Sequence, residues 1–255
     1  MTATAAFELS PPVNLRPLAG IPIRGGVLCE GLAIRADDLS TITSDVADDL
    51  VAGGLTSIID LRSAAEVDLT GRGPLATRPV SYHHLPVMQE LGAGLPRDTS
   101  FLHDPVEFGR LYADLVDAAA TGFATALTII SLSPGATAFH CAAGRDRTGV
   151  LAALLLLVLG ADDDDIVTDY ARTDDNMTAI ATRLGPVMSV LMAGMGFDIE
   201  ELASTRPPGG RSPGTSMRTM LELLRERHGD PLAPLWRAEL DDRTASRLRR
   251  RALGS

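Results

Sequence analysis

The sequence predicts an α/β fold, with helices packed against a short central sheet. Three observations carry that prediction. Thr56-Ser-Ile-Ile-Asp-Leu-Arg62 is a short β-branched run of the kind that forms a buried central strand. Ala136-Thr-Ala-Phe-His140 reads as a second strand and leads, through a glycine-containing loop, into an apolar helix over Thr148–Leu159 that Gly160 closes. Between them, Pro105–Ala119 and Gly122–Ser131 carry helical periodicity and Ala/Leu content.

The remaining elements follow in order. Residues 1–13 are small, polar and proline-containing, which predicts an irregular arm ahead of one domain over 14–255. The short apolar segments of Ile21–Arg35, broken by Gly25-Gly26 and Gly31, predict a β-hairpin. Asp45–Leu50 fits a helix ending near Gly53-Gly54. Val80–Val87 alternates as a strand, and Gln89–Thr99 reads as a loop. Asp162–Asp165 opens another helix, where acidic side chains favour the N-terminal dipole. From about Asp174 the chain is mostly helical, interrupted by a loop at Arg206–Gly214.

Composition narrows the class. Hydrophobic residues at 45% and charged residues at 22% suit a soluble globular protein with a sizeable core. A formal charge of −10 argues against a nucleic-acid binder, which needs a broad basic face, yet leaves room for a small cationic pocket. Cys29 and Cys141 make no disulfide framework and fit a reducing compartment. Met1–Gly20 lacks the basic start and apolar run of a signal peptide, and Val150–Leu159 is too short to span a bilayer. A cytoplasmic location without stable membrane insertion is expected. Signal-less export would leave no mark in the sequence, and oligomeric state is unreadable.

The chemistry concentrates in His140-Cys-Ala-Ala-Gly-Arg-Asp-Arg-Thr-Gly149. A loop between strand and helix, wrapped with its N–H groups inward, forms an anion nest at a helix N-terminus. Ala142, Ala143, Gly144 and Arg145 would line it, and Gly144 permits close backbone approach. Arg147 can return over the nest and clamp two phosphate oxygens. Such surroundings lower a thiol from about 8.5 to roughly 3.5–7.5, which would make Cys141 a nucleophilic thiolate. Thr148 can donate its hydroxyl to the sulfur, and His140 can fix the loop through hydrogen bonds. The competing reading is a buried structural cysteine ahead of a core helix. It has to explain two arginines and an aspartate in one loop.

The segment resembles the Cys-x5-Arg-Ser/Thr signature of the protein-tyrosine-phosphatase superfamily. More narrowly, it is similar to the bacterial tyrosine and lipid phosphatase branch with a His-Cys-x-x-Gly-Lys-Asp-Arg-Thr-Gly loop, with Arg145 in place of the lysine. Asn14-Leu-Arg-Pro-Leu-Ala-Gly20, Leu32-Ala-Ile-Arg35, Ile59-Asp-Leu-Arg-Ser63 with Glu66, and Asp169-Tyr170 resemble further segments of that branch. The resemblance implies a cysteine-phosphatase fold: a short, mainly parallel sheet flanked by helices, a helical lid at about 174–200, and C-terminal helices. It implies a phosphocysteine intermediate, no metal or other cofactor, and a phosphorylated protein or a phosphoinositide as substrate. Met188, Met192 and Met195 share a helical face in the lid span, where they would either cover an aromatic substrate or fill core.

Leaving-group protonation calls for a carboxylic acid near the nest. Asp146 inside the loop is the first candidate. Asp60 at the end of a central strand is the second, as an alternate or supporting acid, and either also fits an ion-pair role. Two rival functions remain: a sulfurtransferase, whose loops are usually shorter, and a scaffold that binds phosphate without turnover. Minor features read as structural. His83 and His84 point to opposite faces of a strand, Cys29 is an isolated apolar position, and Arg243, Arg247, Arg249, Arg250 and Arg251 form a solvated basic face.

Overall fold

The computed structural model describes residues 7–88, 104–194 and 214–254. Its strands are β1 (Arg16–Pro17), β2 (Pro22–Ile23), β3 (Gly26–Val27), β4 (Ala33–Ala36), β5 (Leu55–Asp60), β6 (Ser81–His84) and β7 (Ala136–His140). Its helices are α1 (Ser44–Ala52), α2 (Ala64–Thr70), α3 (Pro105–Ala118), α4 (Ala120–Leu132), α5 (Asp146–Leu159), α6 (Asp163–Ala171), α7 (Met177–Gly194), α8 (Thr215–His228), α9 (Ala233–Arg237) and α10 (Asp242–Ala252).

A five-stranded sheet runs β1-β4-β7-β5-β6, parallel except for β1 at its edge. The side-chain period of two gives each central strand two buried faces. Ile59 and Phe139, which are register partners, join the larger core with α3, α4, α5 and the C-terminal helices. Ile58 and Ala138, one residue earlier, join a smaller core under α1. All four parallel strands end at one edge, and the loops beyond those carboxyl ends are where α/β sheets place their sites.

Local chemistry sets the helix limits. Thr43 caps α1 by accepting from the Val46 N–H, and Asp104 caps α3 just ahead of Pro105. Gly160 closes α5 in the left-handed region with φ 81°. That helix begins at Asp146 rather than Thr148, which puts Arg147 and Thr148 in its buried first turn.

Two expected strands differ. The hairpin of Ile21–Arg35 reduces to β2 and β3, because Gly31 turns the chain at φ 82° and Ala33–Ala36 enters the central sheet beside β7. The strand expected over Val80–Val87 covers only Ser81–His84, ahead of Pro86, which has no N–H for a ladder. The loop expected at Gln89–Thr99 lies outside the described residues, as does nearly all of Arg206–Gly214.

The described part of the arm docks on the domain through Ser10, Val13 and Asn14. Ser10 donates its N–H to Thr41 O at 2.9 Å, and Val13 and Asn14 donate theirs to the Asp37 carboxylate. From α7, Arg183 reaches the same carboxylate at 2.6 Å and the Ser10 hydroxyl at 3.1 Å. Helix α7 buries Ile180, Leu184 and Val187, while Met188 on a neighbouring stripe is half-buried. Met195 lies outside the described residues. The basic C-terminal helix is partly structural: Arg249 donates to Val158 O near the end of α5, and Arg251 donates to Ile130 O in α4 and to Gly135 O. No single described helix is long and apolar enough to cross a membrane.

Candidate active site

Every carbonyl from His140 to Arg145 has a hydrogen-bond partner. His140 O accepts from Leu61 N at 2.9 Å, Cys141 O lies 3.2 Å from the His140 ring, and Ala142 O accepts from Asp38 N at 2.8 Å. Asn14 Nδ2 donates to both Ala143 O and Gly144 O at 3.2 Å, and Arg35 Nη2 donates to Gly144 O at 2.9 Å. Arg145 O takes the Gly149 N–H at 2.9 Å. Among the described residues no acceptor takes the N–H groups of Ala142 through Thr148. Carbonyls out and amides free is the arrangement of an anion nest, continued into the N-terminus of α5.

The glycine at 144 is required twice over. Its φ is 66°, and a Cβ there would lie 2.4 Å from Ala36 O. The tight contact seats the loop on the end of β4.

A buried ionic base supports the outer side of the loop. Arg35 is fully enclosed and pairs with Asp169, which also accepts from Arg16 Nε at 3.2 Å. Arg16 also donates to Asn14 Oδ1 at 2.5 Å. Burial and the adjacent Arg35 lower Arg16 to about 10, against the pull of Asp169. Burial alone would raise the Asp169 carboxyl, but the two guanidiniums outweigh it and hold it low. The segments around Asn14, Arg35 and Asp169 thus meet under one stretch of loop backbone.

Cys141 is 2% exposed and packs into the larger core below the nest. Thr148, fully buried in the first turn of α5, has a hydroxyl with no hydrogen-bond partner among the described residues. Arg147 lies across Glu66, with Nη1 to Oε2 at 2.6 Å and Nη2 to Oε1 at 2.8 Å, and Nη1 also reaches Leu61 O at 3.4 Å. Of the guanidinium donors this leaves the Nε–H and the outer Nη2–H, adjacent on one edge of the fork. Burial opposes the Arg147 charge, but Glu66 and Cys141 more than restore it. Glu66 is depressed in turn: burial would raise it, and Arg147 and Ser63 outweigh that.

Glu66 is the residue whose role the sequence reading missed. The signal was present, since Ser63-Ala-Ala-Glu66 is a capping-box pattern and both of its bonds form. One carboxylate therefore caps α2 and holds Arg147.

The two candidate acids separate clearly. Asp60 is register partner of His140 and shares the face of Ile58, so its side chain turns away from the Cys141 side. It is wholly buried, takes Arg62 Nε at 2.9 Å and Nη2 at 2.6 Å, and accepts the Tyr82 hydroxyl at 2.9 Å. Burial would raise it, but the His140 ring and Arg62 prevail and hold it well below the carboxylate range. An anion so fully bonded does not carry a proton to a substrate, so Asp60 takes the ion-pair role rather than that of an alternate acid. His140 is lowered chiefly by burial and sits 3.7 Å from Asp60 through Nε2, bracing the strand end. Asp146, in contrast, has a side chain 42% exposed and accepts from the Tyr112 hydroxyl.

Arg145 does not line the nest with a free cation. Its guanidinium bonds Asp174 at 3.1 Å, approaches Asp146 at 3.5 Å, and lies 5.2 Å from the Tyr170 ring centroid. Burial disfavours its charge, but Asp146 and the other partners raise it above its ordinary value. Among the described residues no cluster of His, Cys, Asp and Glu is arranged to hold a metal ion.

Comparison with known proteins gives consistent results. The chain is 28% identical over 210 residues to the triple specificity protein phosphatase PtpB of Mycobacterium tuberculosis, covering 72% of this chain and 75% of that protein. It is 34% identical over 155 residues to a tyrosine-protein phosphatase of Nostoc commune, covering 56% of this chain and 50% of that one. Among solved structures, TpbA of P. aeruginosa aligns over 67% of this chain and 83% of its own at 16% identity, with a TM-score of 0.31, too loose to bear on the site. The profile of the tyrosine phosphatase family matches residues 7–254, which include every element of the site described above. The chain belongs to the tyrosine phosphatase family.

Proposed function

We propose that the protein is a cysteine-dependent phosphatase that hydrolyses phosphomonoesters, foremost protein phosphotyrosine, through a phosphocysteine at Cys141. The observation that carries this reading is the loop itself: its carbonyls are tied outward, its N–H groups are free, and a buried cysteine lies beneath them. Phosphate oxygens fit such a ring of donors, and a fixed ring needs no rearrangement as charge develops.

In the first step Cys141 Sγ attacks phosphorus in line with the ester oxygen. The S–P bond forms, the P–O bond breaks, and Asp146 passes its proton to the departing oxygen. The free Nε and Nη2 donors of Arg147, aligned by Glu66, bind two equatorial oxygens. In the second step water attacks phosphorus and gives its proton to Asp146. The sulfur leaves with the S–P electrons, and the unpartnered Thr148 hydroxyl is placed to stabilise it.

The state of Arg145 favours a single phosphate. Tied to Asp174 and Tyr170, it offers no loose cation to a second phosphate of an inositol headgroup. The test is a substrate panel: kcat/KM on phosphotyrosine peptides should exceed that on phosphoserine peptides and on soluble mono- and bisphosphorylated phosphoinositides. Preference for a phosphoinositide would reverse the substrate assignment, and equal rates on tyrosine and lipid substrates would make it a dual-specificity enzyme. Thiosulfate turnover without phosphatase activity would discard the reading altogether.

A further inference from the structure

Beside the nest, Asp146 is the one loop side chain joined to a buried chain of phenols. Tyr112 of α3 is 3% exposed and donates its hydroxyl to Asp146 Oδ1. The Tyr170 hydroxyl of α6 lies 2.9 Å from the Tyr112 oxygen. A phenol has one proton to give, so with Tyr112 committed to Asp146, Tyr170 is the donor to Tyr112. The rings are fixed as well: Tyr112 meets Phe108 edge-on at 6.0 Å and Tyr170 at 6.1 Å. Burial, reinforced by Asp146, raises Tyr112 well above its ordinary value, so it remains a donor throughout the working pH range.

The consequence falls on the geometry of the acid. Asp146 is otherwise a half-exposed side chain on the first turn of a helix, free to rotate about its own bonds. Tyr112 holds Oδ1, with Arg145 Nη1 at 3.5 Å on the same oxygen. Only Oδ2 is left to bear a proton. We infer that Tyr112 is a positioning residue for proton transfer: it anchors Oδ1 of Asp146 so that Oδ2 delivers the proton to the leaving oxygen, with Tyr170 steadying it from behind. This rests on the reading of Asp146 as the general acid. Nothing in the spacing of the sequence pointed to it, because residues 112, 146 and 170 come from three different helices.

Aryl phosphates of graded leaving-group basicity test the inference, with kcat/KM reporting the step that expels the phenol. Tyr112→Phe keeps the ring and its edge contacts while removing the donor. It should lower kcat/KM roughly tenfold on phenyl phosphate and far less on 2,4-dinitrophenyl phosphate, whose leaving group needs no proton. Asp146→Asn should show the same trend more steeply, and Tyr170→Phe more weakly. A uniform loss across the series in Tyr112→Phe, with a steep trend in Asp146→Asn, would overturn the positioning role and leave the acid assignment standing. A flat series in Asp146→Asn would remove the acid assignment, and the inference with it. Should Tyr112→Phe fail to fold, Tyr170→Phe carries the comparison: it removes the donor behind Tyr112, and a leaving-group trend identical to wild type would overturn the inference.

Discussion

Asp60 and Asp146 are both aspartates at the carboxyl edge of one sheet, and the fold treats them in opposite ways. Asp60 is enclosed, bonded by Arg62 and Tyr82, and backed by the His140 ring. Asp146 is half-exposed, with one oxygen held by a phenol and the other open. The first environment fixes a charge for the sake of the scaffold. The second leaves one carboxylate oxygen with no donor among the described residues, beside the loop that holds Cys141. Position at a shared sheet edge is thus a poor guide to role. The number of donors that already claim the carboxylate is a better one.

Exchanging the two residues for asparagine sharpens that contrast most. Asp146→Asn should cut kcat/KM on phenyl phosphate about 10²–10⁴-fold with Tm unchanged, since general acid catalysis typically contributes that factor. Asp60→Asn should instead cost about 3–5 kcal/mol in denaturant unfolding, because it removes a buried partner from Arg62. If Asp60→Asn keeps wild-type stability but steepens the leaving-group dependence, the two roles are reversed.

Glu66→Gln comes next. Without the carboxylate, Arg147 loses the partner that directs its free edge, and kcat/KM should drop roughly ten- to a hundredfold on every aryl phosphate alike. A uniform loss is the mark of a group that orients oxygen ligands, whereas a graded one would assign Glu66 to proton transfer.

Acid unfolding makes a smaller and more distributed test. Asp60, Glu66 and Asp169 are all held below ordinary carboxylate values in the folded chain. The unfolded chain binds protons at about pH 4, so the stability these groups contribute is complete above that pH and is lost as pH falls below it. Tm should therefore be flat from pH 8 to about 5 and decline steeply under pH 4. Loss of Tm on raising the pH from 5 to 8 would contradict the burial of ionised carboxylates. The weakest effect belongs to Arg78→Ala, which breaks a solvated pair with Asp48 and should leave Tm unchanged.

Much of this was legible in the sequence because it is local. The strand ending at His140, the Cys141-to-Arg147 spacing, the helix closed by Gly160 and the need for Gly144 all lie within one continuous stretch. What stayed hidden is nonlocal. Asp169 pairs with Arg35 across 134 residues, and Arg147 pairs with Glu66 across 81. No periodicity encodes which buried cation meets which anion. The choice between the two roles of Asp60 is nonlocal as well: register puts Asp60 opposite His140, and alternation then turns it to the side away from Cys141. That register is a property of the assembled sheet. Of the methionine face expected in α7, the described Met188 is half-buried beside Ile180, Leu184 and Val187, which bury fully.

The central claim is a covalent bond between phosphorus and the sulfur of Cys141. Acid quench of the enzyme during turnover of p-nitrophenyl phosphate, followed by peptide mass spectrometry, tests it most directly. The account predicts one phosphoryl group on the peptide that carries Cys141, and neither adduct nor turnover in Cys141→Ser. Turnover that persists in Cys141→Ser, or a phosphoryl group found on any other side chain, would contradict it.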